Sequence, residues 1–160
     1  MAVNVSTRQL IHPAFVRTVA GVLAESGIAA DRLVLEIAEI GTAGRESEFV
    51  GRLEELRALG VALSIDDFGA GHSSLANLTH CPVQTLKISR AFVHGIPDES
   101  RSCAIVRAII MLGNSLGINV IAEGVETAKQ REFLAEQGCP EMQGYLISPP
   151  IPPDTFASLF

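Results

Sequence analysis

Two textures of apolar spacing alternate along the chain. Short, mostly apolar runs recur as "AVNV" (2–5), "LVLEI" (33–37), "VALSID" (61–66), "TLKIS" (85–89), "NVIAE" (119–123) and, more weakly, "EMQGY" (141–145), each bounded by turn residues, and these predict six strands. Between them the spacing is that of amphipathic helices, over about 13–26, 45–59, 102–116 and 128–137, with a shorter stretch at 73–78 and a last one from Asp154. In the second helix Phe49, Val50, Leu53 and Leu56 share one side, and Arg45, Glu48, Arg52 and Glu55 supply the polar side. Pro13 suits a first helical turn, where its missing N–H costs nothing. Gly27, Gly60, Gly117 and Gly138 each follow a helical run, where a residue free to take positive φ ends it.

Strands apolar on both faces and alternating with helices indicate a parallel sheet covered by helices. The βα crossovers leave an open doubly wound sheet or a (β/α) barrel. Beyond this rhythm there is no sequence repeat.

Composition narrows the setting. A chain of 160 residues with 48% hydrophobic and 19% charged residues supports one globular domain with a sizeable core. A formal net charge of −6 argues against a general binder of duplex nucleic acid, whose phosphates call for Lys and Arg clusters. An acidic chain that handles a phosphate needs a metal. Cys81, Cys103 and Cys139 are odd in number and without CxxC spacing, which reads as reduced thiols of a cytoplasmic protein. The longest apolar stretch, 104–112, is interrupted by Arg107 and too short to span a bilayer, and the start of the chain shows no secretory pattern.

The candidate chemistry lies at the strand ends, with Asn4, Glu36, Asp66 and Asp67, Lys87, Glu123 and Gln143 at or near the six C-termini. Singly, each has an ordinary explanation: a helix N-cap or loop acid for the carboxylates, a surface position for Lys87. In a parallel barrel, however, these ends converge on one face. Several acids in one pocket raise each other's pKa unless a cation holds them. No histidine falls on a strand end, and oxygen donors alone select a hard cation such as Mg²⁺ or Mn²⁺. Adjacent aspartates suit two ions roughly 3.5–4 Å apart, the first bridging both and the second serving one, an arrangement used for in-line attack on a phosphodiester.

With these residues in hand the sequence resembles the EAL domain, the family of cyclic di-GMP phosphodiesterases, through "NVSTRQL", "LEIAE", "DDFGAGHSSL", "LKIS", "AEGVET" and "QGYLISPPIP". The resemblance implies a (β/α)₈ barrel of the TIM type, two Mg²⁺ or Mn²⁺ ions, and hydrolysis of cyclic di-GMP to pGpG. It assigns Asn4 and Glu36 to the first metal, Asp66 to the bridge, and Asp67 with Glu123 to the second. Lys87 takes the part of the lysine that fixes the attacking water and nearby carboxylates. Glu39 positions the loop after Asp67, Glu126 and Gln143 line the substrate site, and the segment from Phe68 to Leu75 links metal site to dimer interface.

The match begins at the family's third strand. The expectation is therefore an incomplete barrel of about six βα units over 1–160, truncated at its N-terminus, without the first two strands, the glutamate of the Glu-Ala-Leu signature or the nearby arginine. An eight-stranded barrel typically takes about 250 residues, and six strands leave two edges that call for opening, strand exchange or a partner segment. Ser89 stands where active members usually carry an aspartate, His72 where a tyrosine is usual, and Ala70 where threonine is common. Two functions follow. One is an EAL phosphodiesterase whose activity is weakened in this chain, as a homodimer or part of a larger signalling protein; the other is a degenerate module that binds cyclic di-GMP or a protein without turnover.

Overall fold

The structure, a computed structural model, describes residues 1–38, 46–70 and 78–157. Six strands form one parallel sheet in sequence order: β1 (Ala2–Val5), β2 (Val34–Ala38), β3 (Ala62–Phe68), β4 (Thr85–Ile88), β5 (Asn119–Glu123) and β6 (Glu141–Gln143). Neighbour pairs with neighbour throughout, so the sheet is an α/β arc with β1 and β6 at its edges. Among the described residues the helices are α1 (Thr7–Leu10), α2 (Phe15–Ser26), α3 (Glu46–Ala58), α4 (Arg90–Val93), α5 (Ser100–Leu116), α6 (Ala128–Glu136) and α7 (Pro153–Ala157).

One pleat rule organises the layers. Leu35 and Ile37, Leu63 and Ile65, Leu86 and Ile88, and Val120 and Ala122 are all buried in the hydrophobic core. Side chains alternate across a strand, so Glu36, Ser64, Asp66, Lys87, Ile121 and Glu123 share the opposite face. Phe49, Leu53 and Leu56 of α3 are fully buried, as the amphipathic spacing predicts, each contributing about 1.5–3 kcal/mol of burial. The faces of α3 and α5 lie against β3 and against β4 and β5 respectively.

Gly27, Gly60, Gly117 and Gly138 take the positive φ expected of them, at 68°, 92°, 67° and 81°. Pro13 does not open its helix. His12 caps the turn before α2, its Nδ1 accepting from the Ala14 N–H at 3.2 Å and its carbonyl from the Phe15 N–H at 2.9 Å, so the helix starts at Phe15. The sixth strand also ends earlier than the pattern suggests: Gly144 turns the chain after Gln143 with φ 155°. The short helix expected at 73–78 lies almost wholly outside the described residues.

Cys81, Cys103 and Cys139 are free and buried. Burial pushes the Cys81 and Cys139 thiols up to about 11, as suits unreactive core thiols. No helix among the described residues is long and apolar enough to cross a membrane.

Candidate metal centre

At the C-terminal end of the sheet, three strands hand carboxylates to the lysine of a fourth. Lys87 Nζ lies 2.8 Å from Glu36 Oε1, 2.5 Å from Glu123 Oε1 and 3.6 Å from Asp66 Oδ1. Its side chain is 5% exposed, and those of the three acids are 14–20% exposed, so solvent screens the group weakly. Burial alone would lower the Lys87 pKa. Hydrogen bonds to Glu123 and Glu36 and the charges of Glu123 and Asp66 more than offset it and hold the ammonium above the usual lysine value.

Glu123 goes the other way from an ordinary ion-paired acid. Burial raises its pKa, Lys87 pulls it down, and the Asp66 carboxylate pushes it up again, with a net rise. Its Oε1 also accepts from Gln143 Nε2 at 2.6 Å, a contact set by the parallel register that pairs Glu123 with Gln143. Among the described residues Asp66 Oδ1 is buried with no hydrogen-bond partner, Lys87 Nζ lying 3.6 Å away. One ammonium thus serves three acids and leaves an acceptor oxygen facing inward without a donor, a state that costs free energy unless a cation or water completes it.

The adjacent aspartates part company through a bulge. Between Ile65, paired with Leu86, and Phe68, paired with Ile88, β3 advances three residues against two on β4. Asp67 absorbs the extra residue at φ 49°, a conformation that costs a non-glycine residue of order 1 kcal/mol and that aspartate tolerates better than most. In a regular strand Asp67 would point back into the helix layer. Here its Oδ1 accepts from the Ser89 hydroxyl at 2.9 Å, at the start of α4 beside β4.

A rim surrounds the cluster. After β5, Gln130 Oε1 accepts from the N–H groups of Glu126 and Thr127 at 2.8 and 2.9 Å, a capping box that fixes the turn carrying Glu126. Glu126 Oε1 in turn accepts from Arg90 Nη2 at 2.6 Å. The Arg90 stem crosses Gly124, which has φ 70° and where a Cβ would strike the Arg90 Cγ. Arg90, Glu126, Gln143, Tyr145 and Pro150 line an open cleft of about 590 Å³ beside the carboxylates.

The structure thus brings Glu36, Asp66, Lys87, Glu123 and Gln143 together and ties Asp67 to the same end through Ser89. Asn4 pairs in register with Glu36 on β1 but stays exposed and outside the Lys87 cluster. Glu126 belongs to the rim. Glu39 and His72 lie outside the described residues. Sequence reasoning missed Arg90, which lies two residues past Ile88 at the end of β4, a position from which a rim residue is supplied.

As arranged, no three His, Cys, Asp or Glu side chains among the described residues are set for a common ion, since the ammonium of Lys87 is the shared counter-charge. The donor set nevertheless fits a hard cation: it is all oxygen, partly buried, and includes the unpartnered Asp66 Oδ1.

A family model described as EAL domain matches residues 1–150. The bifunctional diguanylate cyclase/cyclic di-GMP phosphodiesterase MucR of Pseudomonas aeruginosa is 42% identical over 153 residues, which make up 95% of this chain and 22% of that protein. The chain spans about a fifth of the length of the first curated relatives it matches. Among solved structures, the EAL domain of Mycobacterium smegmatis DcpA matches with a TM-score of 0.94 at 39% identity, over 99% of this chain and 71% of that one. A manganese/cyclic di-GMP complex of Klebsiella pneumoniae BlrP1 matches with a TM-score of 0.83 at 34% identity, over 91% of this chain and 37% of that one. The six-stranded arc is an incomplete barrel of this type.

Proposed function

The chain belongs to the EAL domain family, and from that premise we propose that residues 1–160 carry the metal-binding strands of a cyclic di-GMP phosphodiesterase, hydrolysing cyclic di-GMP to pGpG. The observation that carries this reading is the partly buried quartet of Lys87, Glu36, Asp66 and Glu123, with the Asp66 Oδ1 left without a hydrogen-bond donor among the described residues. Glu36, Asp66 and Glu123 of the quartet, with Asp67 and Asn4 from outside it, would hold two divalent ions, Mg²⁺ or Mn²⁺. The manganese complex of BlrP1 supports a divalent cation in this fold. Such ions, when bound, polarise a phosphodiester and make a water nucleophilic near neutral pH.

The chain's own residues do the positioning. Lys87 offsets part of the acids' charge, holds Glu36 and Glu123 by direct contacts, and would orient the attacking water. Glu123 is held through its Oε1, which faces both Lys87 Nζ and Gln143 Nε2. Gln143 fixes Glu123 Oε1, and with Glu126 it borders the cleft that would take a nucleotide base. Glu39 would position the loop after Asp67. We further place the chain in a larger cytoplasmic signalling protein. Homodimerisation is proposed through the apolar groove lined by Phe68, Ile105 and the exposed Met111, and light scattering of Met111→Glu tests it.

A second reading, a module that binds cyclic di-GMP without turnover, is favoured by Ser89, a neutral hydroxyl where an acid is usual beside Asp67. Chromatographic assay of cyclic di-GMP turnover with Mn²⁺, run beside a binding titration, separates the two. Turnover that Asp66→Ala abolishes supports the enzyme. Binding without turnover supports the module, and neither would sink both.

A further inference from the structure

Ser89 is 3% exposed at the junction of β4 and α4, beside the bulge that turns Asp67. Its Oγ has one proton. The oxygen accepts from the Ala91 N–H at 3.3 Å as the N-cap of α4, and the proton goes to Asp67 Oδ1 at 2.9 Å. The cap fixes where the oxygen sits, and the carboxylate fixes where the proton points.

Asp67 needs such a tether. It sits on an extra residue of β3 at φ 49°, and its residue is exposed, so the strand pleat does not hold its side chain. A buried donor on Oδ1 removes that oxygen's freedom and leaves Oδ2 as the free anionic atom. Unlike a carboxylate at the same place, the hydroxyl adds no charge of its own.

We propose that Ser89 is a positioning residue for the second-ion ligand Asp67: its hydroxyl orients the carboxylate for single-oxygen binding of a divalent cation. This rests on the reading of Asp67 as a metal ligand. Hydrogen bonds to ligating groups typically change metal affinity by about 10–100-fold.

The test is Mn²⁺ titration of the full chain by electron paramagnetic resonance, comparing wild type, Ser89→Thr, Ser89→Ala and Ser89→Gly, with circular dichroism to establish folding. Two ions are expected in wild type and in Ser89→Thr, which keeps the hydroxyl. In Ser89→Ala one of the two should weaken by about tenfold while the other holds. Glycine is a passable N-cap, so Ser89→Gly removes the donor with little loss of the cap and should reproduce the selective weakening even if the alanine variant folds poorly. Equal affinities in wild type and both donor-free variants, or equal weakening of both ions in step with stability, would overturn the inference alone. Wild type that takes up no Mn²⁺ would overturn the metal reading and this inference with it.

Discussion

The Lys87 cluster and the Arg90–Glu126 pair use the same chemistry, a cation against carboxylate, a few residues apart. In the cluster the ammonium is 5% exposed and faces three acids; at the rim the Arg90 side chain is 65% exposed and faces one. Burial makes the members of the cluster depend on one another, since removing one strands charges that water reaches only in part. The rim pair can break and remake at little cost. The difference separates a site built to hold charge in a fixed place from a border built to meet a ligand.

The sharpest way to break this comparison is Lys87→Met. It leaves three partly buried acids without a counter-charge and should cost about 3 kcal/mol in metal-free protein, read by urea unfolding. A change under about 0.5 kcal/mol would put the cluster in the class of the rim. Next comes Gly144→Ala at the seam of the two regions. A Cβ there, at φ 155°, would run into the Val125 backbone, so about 2 kcal/mol of stability should go and Gln143 should leave Glu123.

A pH profile sharpens the same contrast. The Glu123 pKa is raised above 4.5 on folding, so its contribution to stability is fully present below pH 4.5 and is lost as pH rises through the raised value. In metal-free protein the stability of wild type relative to Glu123→Gln should therefore fall as pH climbs from acid toward neutrality, and Mn²⁺ should reverse the fall. A difference that is flat, or that grows with pH, would contradict the electrostatics described. The smallest effect is expected at the rim, where Glu126→Gln should shift stability by no more than about 0.5 kcal/mol while weakening cyclic di-GMP binding in a titration.

Much of this contrast is legible in the sequence because burial on both faces writes itself into strand runs. Leu35 and Ile37, or Leu86 and Ile88, flank a charged residue that can only face the other way. The acids, Lys87 and Gln143 follow from the strand ends. What escapes the pattern is short or irregular. Helices α1 and α4 span a single turn each, too short for periodicity, though Ser6 and Gln9 form a capping box whose S-x-x-Q spacing marks the first. Pro13 was a plausible helix start until His12 took over the preceding turn. The β3 bulge has no hydrophobic signature. "SIDDF" reads as a plain strand, and only backbone register shows how two neighbouring aspartates serve one end of the sheet. Arg90 becomes visible only when Gly124 lets its stem cross toward Glu126.

The central claim is that the carboxylates around Lys87 form a divalent-metal site. The most direct measurement is a crystal structure of the protein soaked in Mn²⁺, with anomalous scattering recorded at the manganese edge. Two anomalous peaks are expected at the C-terminal end of the sheet, both at coordination distance, about 2.1 Å, from Asp66 oxygens, with Glu36 and Asp67 each on one ion. Absence of anomalous density there, or a peak that Asp66 does not touch while Lys87 keeps all three acids, would contradict it.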